Sequence, residues 1–132
     1  MKTTKLTLLA VLLFGIGILA SAQQAGFKRT VLQQSDASVP GREVVMAVAE
    51  FQQGASSGRH THPGDEVGYI LEGTVVIAQD GKPDVTLGQG KSFHIPAGTV
   101  HNATNSGSTA ARVLATYLVE KGKPLATPAP AK

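Results

Sequence analysis

What most limits the shape of this chain is the rhythm of its apolar residues. Glu43–Phe51, Val67–Leu71, Thr74–Ala78, Ser92–Ile95, Val100–Thr104 and Arg112–Val119 are short runs rich in Val, Ile and Thr. Branched side chains fit a pleated, half-buried surface better than a helix, so each run predicts a strand. Glu72-Gly73, Asp80-Gly81 and Pro96-Ala97-Gly98 fall between or beyond these runs and carry turn chemistry. Between Glu43 and Val119 no segment has helical spacing over a useful length. Many short strands with turns between them imply an all-β sandwich or barrel.

The ends read differently. Lys2 and Lys5 precede an apolar stretch from Leu6 to Leu19, and Ala20-Ser21-Ala22 follows with the small residues a signal peptidase requires. The stretch is short for a bilayer span, which takes about 20 apolar residues. A cleavable signal over residues 1–22 is therefore expected, with Gln23 as the new N-terminus and a periplasmic or secreted protein as the product. Its loss removes two lysines, so the formal charge falls from +3 to +1 (3 − 2). No basic run remains to follow a phosphate backbone, so neither nucleic acid nor, after cleavage, a membrane is expected as a partner.

Residues 23–42 form an arm, with a possible strand at Phe27–Leu32 and a polar connection at Gln33–Arg42 that would let the arm cross to a second subunit. A homodimer is expected on that ground and because a small core has edges to hide. The barrel would occupy 43–120. Lys121–Lys132 (KGKPLATPAPAK) is proline-rich and expected to be flexible. Cysteine is absent from the chain, so no disulfide or thiolate site contributes.

Three of the four histidines cluster with one carboxylate. His60 and His62 are two apart, which on an extended strand directs both imidazoles to one face. Glu66 follows the turn-prone Pro63-Gly64-Asp65 and would join them from the same hairpin; His101, just past Pro96-Ala97-Gly98, would arrive from another strand. Three nitrogens and one oxygen suit a divalent transition metal such as Fe, Mn, Ni, Cu or Zn and leave positions open for a small-molecule ligand. His94 lies between Phe93 and Ile95 and should face away from both; it is expected to be structural unless that face lines a cavity. Arg59, Tyr69, Phe51 and Met46 read as solvated or core residues and are not assigned to the site.

The spacing Gly54-(five)-His60-Thr61-His62-(three)-Glu66-(six)-Gly73, with Gly90-(five)-Pro96-Ala97-Gly98-(two)-His101-(three)-Asn105, closely resembles the two motifs of the cupin superfamily, with 16 residues between them. The resemblance implies a small antiparallel β-barrel, or double-stranded β-helix (jelly roll). It also implies His60, His62, Glu66 and His101 as metal ligands, with the glycines and Pro96 at turns. Asn105 is expected to serve backbone hydrogen bonding. Similarity to small, single-domain quercetinase-like cupins implies a metal-dependent dioxygenase acting on a chelating enol, catechol or flavonol, with Glu66 doubling as a general base. A metal-loaded binding or sensor protein, or a redox-neutral lyase or isomerase, would use the same residues.

Overall fold

The computed structural model describes residues 24–132, and the expected signal segment lies outside them. The described residues form strands β1 (Phe27–Asp36), β2 (Arg42–Phe51), β3 (His60–Thr61), β4 (Gly64–Glu72) and β5 (Thr74–Gln79). They continue with β6 (Val85–Gly88), β7 (Ser92–Ile95), β8 (His101–Asn105), β9 (Ala111–Glu120) and β10 (Thr127–Pro128), with no helix among them. Two five-stranded sheets result, ordered β1-β2-β9-β4-β7 and β10-β3-β8-β5-β6, and every pairing is antiparallel. The six strands expected from the barrel sequence are present, each displaced by three residues or fewer at its ends.

Alternation decides which side chains meet between the sheets. On β9, Ala111, Val113, Ala115, Tyr117 and Val119 are buried, and on β2 Val45, Ala47, Ala49 and Phe51 are. The intervening residues of these strands point to the outer face. The core divides into a cluster around Phe51, Ile70, Ile77, Ile95 and Val113 and a smaller one of Val45, Ala47, Ala115, Tyr117 and Val119.

Two glycines show why close packing is possible. At Gly64, where the chain leaves β3 for β4 in the other sheet, an added Cβ would lie 2.0 Å from the Leu118 carbonyl oxygen. Only glycine lets β4 dock on β9 so soon after the crossing. Gly73 has φ +77° and would press a Cβ to within 2.7 Å of the Ala110 carbonyl oxygen. All four motif glycines, Gly54, Gly73, Gly90 and Gly98, take the left-handed conformation expected of barrel corners.

Three expectations need correction. Gln33–Asp36 are not a connection but the second half of β1, which turns back through Ala37–Gly41 and pairs with the chain's own β2. Its polar residues mislead because an edge strand is largely solvated; Gln34 nonetheless reaches inward to donate to the buried Glu43 at 2.9 Å. His60, His62 and Glu66 do not share a hairpin, since β3 and β4 belong to different sheets. The tail is not free: Thr127 and Pro128 pair with Thr61 and His60, Leu125 packs on the smaller core cluster, and Arg59 donates to the Pro130 carbonyl at 2.8 Å. Proline and lysine content signals disorder only where no sheet edge is open, and β3 offers one.

Candidate metal centre

His60 and His101 are direct cross-strand partners on β3 and β8, which brings their ring centres to 4.2 Å. His62 comes from the bend after β3, and its Nε2 lies 3.1 Å from that of His60. Glu66 occupies an inward position of β4, opposite Tyr117 and Ile95, where the alternation of its strand would otherwise place an apolar residue. One of its oxygens, Oε2, is 3.1 Å from His62 Nε2 and 3.2 Å from His101 Nε2. All four side chains are buried.

The outer nitrogens fix the proton positions. Nδ1 of His60 faces the Gly58 carbonyl at 2.8 Å, Nδ1 of His62 that of Leu125 at 2.6 Å, and Nδ1 of His101 that of Thr99 at 2.9 Å. A carbonyl can only accept, so each Nδ1 carries a hydrogen and each Nε2 is the nitrogen left facing inward. Burial pushes His60 down to about 4, reinforced by its histidine neighbours, so its ring is neutral at neutral pH. Burial would raise Glu66, but His101 and His62 outweigh it and hold the carboxyl below its usual range. Its buried Oε2 has no hydrogen-bond partner among the described residues.

When all three rings are neutral, three nitrogen lone pairs and a carboxylate oxygen face one point without a hydrogen between them, a place for a cation; with no cation there, a proton on His62 or His101 is what binds Glu66. The residues fit a divalent transition metal. The nitrogen atoms of His60, His62 and His101 lie within 4.8 Å of one another, and this group could hold a metal ion.

Around the ligands the wall is mostly apolar. Phe27, Ala49, Phe51, Ile77, Phe93, Ala103 and Val113 line a cavity of about 20 Å³ together with His60, Glu66, His101, Ser57, Tyr117 and Arg29. The Tyr117 ring packs against His62 at 4.7 Å between centres, and burial, with Glu66 nearby, pushes its hydroxyl well above the usual range. Tyr117, Phe93 and Arg29 were not foreseen, because their inward direction depends on register.

The remaining expected residues fall elsewhere. Asn105, 1% exposed, donates to the carbonyls of Phe51, Gln52 and Thr109 and accepts from the Gly107 amide at 2.9 Å, so it ties three backbone segments together and does not ligate. His94 points outward and pairs with Asp65 at 2.8 Å. Arg59 makes a bidentate pair with Asp80, outside the cavity. Tyr69 and Met46 lie on the outer face, whereas Phe51 does line the cavity.

With this geometry in hand, comparison with known proteins is decisive for the family. The family model of the cupin domain matches residues 47–117, more than half of the chain. The chain belongs to the cupin family. Among curated proteins, this cupin is 32% identical over 79 residues to the HTH-type transcriptional regulator PuuR of Escherichia coli; the match covers 59% of this chain and 42% of the regulator. Among solved structures it resembles an oxalate oxidase in complex with the substrate analogue glycolate, with TM-score 0.62, 23% identity, and 74% of this chain and 53% of the other covered. It also resembles the polyketide cyclase RemF from Streptomyces resistomycificus, with TM-score 0.64, 19% identity, and 83% and 75% covered. At these identities the structural likeness concerns the fold alone.

Proposed function

We propose that this cupin holds one divalent transition metal through His60, His62, Glu66 and His101 and acts as a metal-dependent oxygenase on a small chelating enol or catechol. The convergence of three imidazole nitrogens and one carboxylate oxygen on one buried point carries the reading. A bound ion supplies Lewis acidity and, if redox-active, access to dioxygen chemistry. The backbone carbonyls of Gly58, Leu125 and Thr99 keep the rings oriented. The ionised Glu66 is placed to accept the hydroxyl proton of a substrate beside it. The phenylalanines exclude water. A free volume of about 20 Å³ holds about one water, so with the side chains as placed neither a catechol nor a flavonol fits, and wall residues have to turn aside to admit a substrate.

Metal analysis of the purified protein, followed by oxygen uptake with catechol and acetylacetone, tests this. Stoichiometric metal with oxygen consumption is expected; protein that binds no metal from a panel of divalent ions overturns the site. Glu66→Gln should lower turnover about 100-fold or more with a much smaller loss of metal, and equal losses refute the base role.

A second reading is a metal-loaded binding or sensor protein, favoured by the similarity to a transcriptional regulator. Tight binding of catechol without oxygen uptake would select it. Product formed under strict anaerobiosis would select a redox-neutral lyase or isomerase.

The homodimer and export are proposals of the same kind. Val67, Tyr69 and Leu118 are exposed on the outer face of the first sheet, and β1 has one unpaired edge among the described residues. A monomeric mass by light scattering at micromolar concentration refutes the dimer. An intact Met1 in the mature protein refutes cleavage of a signal.

A further inference from the structure

The geometry points to Arg29 as the recognition group for a carboxylate on the substrate, which makes the ligand of this site a small chelating acid. The inference rests on the metal-site reading above and narrows it to a charge class.

Arg29 stands on the edge strand β1, opposite Ala49 of β2. Phe27 and Arg29 point between the sheets, while Lys28 and Thr30 point to solvent. Ala47 and Ala49 have short side chains, so β2 leaves room for a long residue above its inner face. The guanidinium extends into that room, with its central carbon 5.4 Å from the Phe27 ring centre and 5.9 Å from that of Tyr117. It contributes the permanent cation among the residues lining the cavity, alongside His60, Glu66 and His101.

Its hydrogen bonding is incomplete. Arg29 Nε is buried and has no partner among the described residues, and Arg29 forms no ion pair among the bridges of those residues. A buried guanidinium donor without an acceptor is costly, and a carboxylate is the group whose two oxygens match its fork. Glu66, the acidic residue of the cavity wall, already faces two histidines. Among the described residues the guanidinium donates to the Tyr117 hydroxyl but leaves Nε open, so the acceptor that completes Arg29 lies beyond those residues, and its place is beside the histidine cluster. An acid that also offers a hydroxyl or carbonyl oxygen would meet both requirements at once. The small free volume restricts it to a few heavy atoms unless Arg29 and Phe27 turn outward, and the exposed strand that carries them allows that.

An inward charge on an edge strand can also serve only to discourage edge-to-edge aggregation, and the test separates the two roles. Glycolate and its uncharged analogue glycolamide are titrated calorimetrically into wild type, Arg29→Gln and Arg29→Lys, each metal-loaded and metal-free, with metal content measured in parallel. Wild type should bind glycolate at least tenfold more tightly than Arg29→Gln does. Arg29→Lys should fall between them, glycolamide should not distinguish the three, and metal content should be unchanged. Equal glycolate affinity in wild type and Arg29→Gln, or no glycolate binding to wild type at millimolar concentration, overturns the proposal even if Arg29→Gln aggregates. Failure of wild type to hold metal would sink the metal reading instead; an Arg29-dependent gap in the metal-free titrations would still support the carboxylate site, and its absence there would overturn it.

Discussion

Deleting residues 123–132 should weaken both the fold and the metal centre, and the two losses can be worked out separately. The deletion removes Leu125, which is half-buried against Val45, Ala47, Ala115, Tyr117 and Val119. Half of a leucine burial is about 1 kcal/mol. It also removes the Leu125 carbonyl, leaving the His62 Nδ1–H, on a side chain 1% exposed, without its acceptor. An unsatisfied buried donor costs roughly 1–3 kcal/mol, less whatever entering water recovers. Together these amount to about 2–4 kcal/mol, or a fall in Tm on the order of 10 °C for a domain of this size. Because the same carbonyl holds the His62 ring with Nε2 inward, metal affinity should drop about 10–100-fold. Leu125→Ala separates the terms: it keeps the carbonyl, so it should lose about 1 kcal/mol of stability with metal affinity near that of wild type. Thermal denaturation of the metal-free proteins and competitive zinc titration measure the two quantities. A truncated chain with wild-type zinc affinity would refute the claim that the tail orients His62.

Acid should destabilise the metal-free protein early. His60 titrates near 4 when folded and near 6.5 when unfolded, so between those values the unfolded chain binds more protons and stability falls with pH, by about 2 kcal/mol from pH 7 to pH 5. The depressed Glu66 adds stability that is present above the ordinary carboxylate range and lost below it. A urea midpoint unchanged between pH 7 and pH 5 would contradict the buried, neutral His60. Gly64→Ala should cost more than about 4 kcal/mol, because its Cβ collides with backbone at Leu118 and neither strand can move aside; a soluble variant with wild-type Tm would contradict the close approach. Asn105→Ala strands the carbonyls it joins and should cost about 3 kcal/mol. Asn105 touches no ligand, so the zinc affinity of the folded variant should be unchanged, and a loss there would show coupling to the site.

Much of this was legible in the chain itself. Runs such as Glu43–Phe51 and Arg112–Val119 are strands because branched residues alternate along them, and that depends on neighbours in sequence alone. The glycine corners are equally local, since positive φ is a property of one residue. That His60, His62, Glu66 and His101 belong together was legible through the resemblance to the two cupin motifs, whereas local spacing predicted a shared hairpin that β3 and β4 do not form. What the chain could not state is which face of each strand looks inward, since shifting a strand by one residue exchanges its two faces. Arg29 and Tyr117 became site residues only once the pairings Arg29↔Ala49 and Glu66↔Tyr117 were fixed. The tail shows the same limit more sharply: nothing near Leu125 announces that its carbonyl will meet an imidazole 63 positions earlier. That contact exists because β3 leaves an open edge in the folded barrel, and an open edge is a property of the assembled sheet.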